Sequence, residues 1–368
     1  MKKILFFVSA ISSLLLATSE IQTCKKCHPQ IVDEFETSMH KNSTYLNDEI
    51  HKAVWEKHPL KADNNYTCAA CHAPNTKNEQ EVQNGITCTT CHTIQNIEEH
   101  TVINKNIYGS DKKTFYSAEA GREKEKVVYK TESSMFGLSK KTVGSPYHNL
   151  DYTNEIFYDG KVCMGCHSHR QNSHGFELCK TDKESAGDKK QNCITCHMPK
   201  VDGSATTIRE SKQHAFHGFA GSAKHPEMLA KYIELDFVNK SEGFDITISN
   251  NSPHNLLTHP LRVAQLKVNL IKNGKSTTLQ TTDFLKVIGV DGKPAMPWLA
   301  KEVLVDTMIK ANEKRVLNHT IPLKAGDEIE VVLGYYLVNP KALENLGLKG
   351  NKEAEKFIVL KKKNFIVK

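Results

Sequence analysis

Cys193-Ile194-Thr195-Cys196-His197 closes a series of five pentapeptides of one form. Before it stand Cys24-Lys25-Lys26-Cys27-His28, Cys68-Ala69-Ala70-Cys71-His72, Cys88-Thr89-Thr90-Cys91-His92 and Cys163-Met164-Gly165-Cys166-His167. Each reads as a Cys-x-x-Cys-His attachment site for a c-type haem. Two thiols three residues apart on one short turn can add to the two vinyl groups of a single porphyrin, and the adjacent histidine is then held beneath the ring with its imidazole on the iron. Zinc would need four ligands per ion and would leave the histidine after every pair unexplained. A thioredoxin-like pair is expected once, beside a βαβ pattern. The ten cysteines are therefore read as the covalent anchors of five haems c, and His28, His72, His92, His167 and His197 as the proximal ligands.

Outward from the motifs, the N-terminus supplies a compartment. Met1-Lys2-Lys3 is followed by an apolar run from Ile4 to Leu16 and small residues at Ala17 and Ser19. That order reads as a secretory signal peptide over residues 1–19, too short in its apolar part to span a bilayer. Haem attachment takes place outside the cytoplasmic membrane, so the two readings agree on the periplasm. No later segment has the apolar length of a membrane span, and none is expected once the signal is cleaved. The formal charge of +7 falls to about +5 when the two signal lysines are removed, and about ten haem propionates would reverse it, so nucleic-acid binding has little support.

The fold class expected is α+β. The five motifs lie between Cys24 and His197, about 35 residues per haem, too little chain for an ordinary core. Residues 20–230 therefore read as a mostly helical and irregular pentahaem domain whose apolar interior is porphyrin. Short gaps between motifs, 15 residues from His72 to Cys88 and 25 from His167 to Cys193, predict that the second and third haems, and the fourth and fifth, are neighbours. The stretch from Glu98 to Lys130 is charge-rich and reads as a surface excursion with a small hairpin around Lys126 to Lys130. Beyond about Met228 apolar and polar residues alternate over Tyr232–Val238, Phe244–Ser249, Arg262–Ile271, Phe284–Val290, Glu302–Ile309 and Glu328–Leu337. Turn signals at Asn273-Gly274, Asp291-Gly292 and Ala325-Gly326-Asp327 separate them. Residues 231–368 are read as an antiparallel β-sandwich.

Thirteen histidines remain after the five in the motifs, enough to supply a second axial imidazole to every iron. Here the residues resemble a known family. Cys24 to His40, with Phe35, Ser38 and His40, is similar to the opening of proteins related to the tetrahaem cytochrome c that accepts electrons from hydroxylamine oxidoreductase, where an aromatic residue, often Trp, stands at the place of Phe35. Ser145-Pro146-x-His148, Cys196-His197-Met198-Pro199 and His214-x-Phe216-x-Gly218 resemble pieces of multihaem respiratory cytochromes. Asn251-Ser252-Pro253-His254, with Thr258 and Leu261-Arg262, is similar to a Gly-His-x-x-Pro-Thr-Gly stretch in their C-terminal sandwiches, with the leading Gly and the Pro replaced. The resemblance implies His40, His148, His214 and His254 as distal ligands, with His58, His100, His169, His174, His217 and His225 in reserve for the fifth iron.

Two functions fit these readings. The first is an electron carrier between a membrane quinol dehydrogenase or another periplasmic donor and a respiratory acceptor, with redox proteins as partners. The second is a multihaem enzyme acting at one open haem on a nitrogen or sulfur compound such as hydroxylamine, nitrite or tetrathionate. Pentahaem nitrite reductases, similar in haem number, typically carry a Cys-x-x-Cys-Lys motif at the active haem, and here all five motifs end in His, which favours the carrier. Cys179 is the unpaired eleventh cysteine, read as a free thiol, with an intermolecular disulfide or a sulfur-handling thiol near the fourth and fifth haems as the alternatives.

Overall fold

In the N-terminal part the sequence forms short elements only. The computed structural model describes residues 20–74, 76, 82–133, 140–181, 190–257 and 259–368, so the signal-peptide reading and Thr258 lie outside the described residues. Pro29–Glu36 is an eight-residue helix and Glu49–Trp55 a seven-residue one, the latter capped by the Asp48 side chain on the Ile50 N–H. The turns that carry the motifs are shorter still: Ala69–His72, Cys88–His92, Met164–His167 and Cys193–His197. Small antiparallel pairs join them, Ile94–Glu98 with Lys105–Tyr108, His169–Gln171 with Glu177–Lys180, and Lys200–Asp202 with Gln213–Ala215. The buried apolar clusters of this part are small: Ile21, Val32 and Phe35 form one, and Tyr45, Trp55, Ala73 and Val82 another. Sparse protein-only packing is what a haem-filled interior requires.

The charged excursion differs from expectation. Lys126–Val127 pairs with Asn149–Asp151, which also takes Thr114–Tyr116 as a parallel neighbour, and the hairpin is Lys130–Ser133 with Lys140–Val143. Asp151 explains the change: it is buried, the Lys126 ammonium sits 2.8 Å from it, and it accepts both the N–H and the hydroxyl of Thr153. The chain is thereby drawn in at Lys126 and turns further on.

Residues beyond Tyr232 are strand-rich. We number these strands β1 (Ile233–Lys240), β2 (Gly243–Asn250), β3 (Val263–Lys272), β4 (Lys275–Phe284), β5 (Lys286–Val290), β6 (Lys293–Pro294), β7 (Glu302–Asp306), β8 (Lys314–His319), β9 (Glu328–Tyr336) and β10 (Ile358–Ile366). They make a three-stranded sheet in the order β1-β2-β8, a four-stranded sheet β4-β3-β9-β10 and a small sheet β6-β5-β7, all antiparallel. Alternate residues of the first two sheets, among them Leu235, Ile246, Ile248, Leu266, Val268, Ile329, Val331 and Leu333, belong to one buried cluster. The overall class is mixed α+β, as expected.

Strands β4, β6, β8 and β10 fall outside the expected set, and the expected strand Phe284–Val290 is split between the end of β4 and β5. All four of these strands sit at sheet edges. An edge strand has one open side, so it carries polar and charged residues where a central strand carries apolar ones; Thr277-Thr278 and Lys361-Lys362-Lys363 are of this kind. The helix Glu49–Trp55 links the two parts, its Ile50, Ala53 and Val54 packing on a cluster of Val338, Leu343, Leu346, Leu348 and Ala354. Tyr335 donates its hydroxyl to the Ser222 carbonyl at 2.7 Å, and the Asn172 amide donates to the carbonyls of Pro297 and Ala300.

Candidate haem-binding centre

Each motif is built as a single helical turn. Residues three and four apart share a face of such a turn, so both thiols and the histidine point the same way. The amides of His28 and His72 close the turn on the carbonyls of Cys24 and Cys68 at 2.9 and 3.0 Å. In the third and fifth motifs the residue before the second cysteine has a structural task. The Thr90 hydroxyl accepts the Thr87 N–H and the Thr195 hydroxyl accepts the Asn192 N–H, while the Asn192 side chain accepts from Ile194 and Thr195. These capping boxes start the turn at the first cysteine and fix its orientation.

The motif imidazoles are oriented through Nδ1. His28, His72, His92 and His197 donate from it to the carbonyls of Ala205, Ser43, Tyr116 and Ala220 at 2.7, 2.6, 2.7 and 2.6 Å. A carbonyl on Nδ1 fixes the tautomer that leaves the Nε2 lone pair free, the usual second partner of a metal-bound histidine.

Four motif imidazoles face a second ring. His28 and His148 have centroids 6.2 Å apart with planes 28° from parallel, His92 and His217 6.4 Å and 18°, His197 and His254 6.1 Å and 20°. His167 and His40 lie 6.0 Å apart with planes at 84°. An imidazole nitrogen sits about 2 Å from a first-row metal and its ring centroid about 1.1 Å further back, so two imidazoles on opposite sides of one ion have centroids about 6.2 Å apart. The four separations match that span, and the donor set fits haem iron.

Burial prepares the same rings electrically. It pushes His40 and His217 down to about 3 and His167 down to about 4, with neighbouring imidazoles adding to the effect, and it also lowers His92, His148 and His197. A ligating imidazole must be neutral, and these rings are neutral at ordinary pH. His40 Nδ1 is in addition buried without a hydrogen-bond partner among the described residues, the kind of atom a bound group satisfies.

Of the four expected distal histidines, His40, His148 and His254 face a motif histidine and His214 does not. Its Nε2 lies 2.8 Å from Glu34 Oε1 and its Nδ1 donates to the Gly203 carbonyl at 3.0 Å, so both ring nitrogens meet acceptors. The ring that faces His92 is His217, three residues on. The other reserve histidines are engaged elsewhere: His58 packs between Trp55 and Trp298, His169 donates to the His100 carbonyl, His100 lies beside Glu98, and His225 meets the Thr37 hydroxyl. His174 is exposed.

The second motif has different surroundings. His51 lies 4.4 Å from His72, too close to admit an ion between them; both rings donate Nδ1 to the Ser43 carbonyl, and the Tyr66 hydroxyl meets His51 Nε2 at 3.2 Å. His259, which the sequence reading did not single out, is held below the usual imidazole range, with the Arg262 guanidinium and His72 contributing. Its only sequence signal is its nearness to the Leu261-Arg262 pair.

Thiol contacts between motifs give the order of the sites. Cys163 lies beside Cys193, as the short gap between the fourth and fifth motifs predicts. Cys24 lies beside Cys88 and Cys71 beside Cys166, so the first motif adjoins the third and the second adjoins the fourth. The Asn106 amide donates to Cys166 Sγ at 3.5 Å. Cys179 stands opposite Arg170 in a strand pair, with its thiol raised by burial.

Comparison with known proteins follows the same lines. Residues 23–93, which hold the first three motifs and His40, match the family of cytochrome c554 and c-prime. The whole chain shares its fold with a penta-heme cytochrome c552 from Thermochromatium tepidum, at 24% sequence identity and a TM-score of 0.69, over 94% of this chain and 97% of that one. No curated protein matches the chain. Together with the motifs, these likenesses support a multihaem c-type cytochrome, and with it electron transfer through covalently bound haem. Among the described residues no helix is long and apolar enough to cross a membrane.

Proposed function

We propose that the protein is a periplasmic pentahaem c-type cytochrome that passes electrons between a quinol-linked or periplasmic donor and a respiratory acceptor. The ten motif cysteines hold five haems, and bound there haem supplies one-electron iron chemistry. His28 with His148, His92 with His217, His167 with His40, and His197 with His254 would hold four of the irons. Residues 20–230 form the haem domain and residues 231–368 a β-sandwich that closes the fifth site through His254. One observation carries this reading: four imidazole pairs at the separation that spans an ion. A haem held by two imidazoles would exchange electrons and would take no substrate. The chain's own residues keep it so, by burial of the rings and by carbonyls that fix their tautomers.

A second reading is favoured by the surroundings of His72. Among the described residues it alone of the five motif histidines has no second imidazole at the separation that spans an ion, the arrangement an open haem would need. Optical and EPR spectroscopy of the ferric holoprotein separates the two. Low-spin signals alone support the carrier. A high-spin fraction that shifts with nitrite, hydroxylamine or cyanide supports an enzyme at the second motif.

A further inference from the structure

The buried pair Glu34 and His214 lies outside the four axial pairs, and its geometry has a purpose of its own. The His214 side chain is 2% exposed and that of Glu34 14%. Glu34 uses both carboxylate oxygens: Oε1 meets His214 Nε2 at 2.8 Å, and Oε2 accepts the backbone N–H of His217 at 2.9 Å. His214 spends its other nitrogen on the Gly203 carbonyl at 3.0 Å. His217 in turn donates Nδ1 to the Ala215 carbonyl at 2.7 Å, within the same loop.

The chain segments involved follow two motifs, the first and the fifth. Glu34 belongs to the helix Pro29–Glu36, which starts directly after His28. His214 stands on the strand Gln213–Ala215, paired with Lys200–Asp202, which follows His197. Gln30, one turn before Glu34 on the same helix face, donates its amide to the Asp202 carbonyl at 3.0 Å. The two parts touch so closely there that a Cβ on Gly203, at φ +122, would fall 2.1 Å from the Gln30 side chain. The helix is therefore seated on the hairpin at two points, and the second point is the amide of His217.

We propose that Glu34 and His214 are positioning residues that aim His217 at His92, tying the third site to the segments that follow the first and fifth motifs. The inference rests on the reading of His217 as an axial ligand. Neither residue touches the reacting centre. Their effect passes through the backbone of residues 215–217.

The test is EPR and redox titration of the five-haem protein, with the variants Glu34→Ala, Glu34→Gln and His217→Ala. His217→Ala is expected to turn one haem in five high-spin. Glu34→Ala is expected to shift that same low-spin signal and its midpoint potential, with the other four unmoved, and Glu34→Gln, which keeps an oxygen acceptor for the His217 N–H, to restore it. If His217→Ala opens an iron while Glu34→Ala moves no signal and no potential, the positioning role is wrong and the ligand reading stands. If His217→Ala leaves every haem low-spin, the ligand reading fails and the inference falls with it. Should Glu34→Ala fail to load five haems, His214→Phe decides: it keeps the buried volume without either nitrogen, and an unmoved third-site signal overturns the proposal.

Discussion

Replacing His40 by Ala should remove one particular EPR signal and leave the rest. His40 and His167 are 6.0 Å apart with their planes at 84°, whereas the other three pairs lie within 28° of parallel. Parallel imidazoles both donate into the same iron d orbital and split it from its partner, which gives a rhombic low-spin ferric spectrum. Perpendicular imidazoles donate one into each orbital and leave the two nearly degenerate, which gives a highly anisotropic signal with a large principal g value. The wild-type protein should show both kinds, with the anisotropic signal integrating to one haem in five. In His40→Ala that signal is replaced by a high-spin one of equal weight, and added imidazole restores a low-spin signal. The backbone should hold, because the link from the Ile86 N–H to the His40 carbonyl does not involve the side chain. Spin quantitation at low temperature reads the result. An anisotropic signal that survives the substitution, or a loss taken from the rhombic signals, would refute the pairing of His40 with His167.

Three other outcomes follow from the same geometry. Gly85 has φ +63, and a Cβ there would lie 2.7 Å from the Lys41 carbonyl and 2.9 Å from that of His40; Gly85→Ala should cost at least about 1 kcal/mol and broaden the signal assigned to His40, as EPR and thermal melting will read. Leu266 is fully buried between the two larger sheets, so Leu266→Ala should cost about 2–5 kcal/mol in chemical denaturation while haem content and spectra stay unchanged. Burial pushes the Asp151 carboxyl up, but the Lys126 ammonium and the two Thr153 donors outweigh it and hold the group below the usual carboxylate range. A carboxyl depressed in the folded state adds stability above its unfolded value of about 4 and loses it as pH falls through the folded value. Asp151→Asn should therefore be less stable by about 1–3 kcal/mol at neutral pH, and the gap to wild type should close in acid, measured by near-UV circular dichroism against pH.

The chemistry of this chain was legible because it is written in adjacent residues. A thioether haem needs its two thiols and its first imidazole within one turn, so the repeated pentapeptides point to covalently bound haem without any knowledge of the fold. The second imidazole has no such tie. His148 meets His28 and His254 meets His197 across stretches of chain whose path is set by other contacts, and resemblance pointed to His214 where the structure brings His217 forward. Glu34, 180 residues before His214, meets the nearer ring with one carboxylate oxygen and accepts the backbone N–H of the farther residue with the other. The strands divide in the same way. Central strands such as Val263–Lys272 bury alternate residues and betray themselves by period, while edge strands such as Ile358–Ile366, with three lysines in a row, have a solvent side that follows no apolar rule. What one dimension conveys is thus whatever local geometry enforces, and the facing of imidazoles from distant segments, as with His92 and His217, goes with contacts such as those of Glu34 that join residues far apart in sequence.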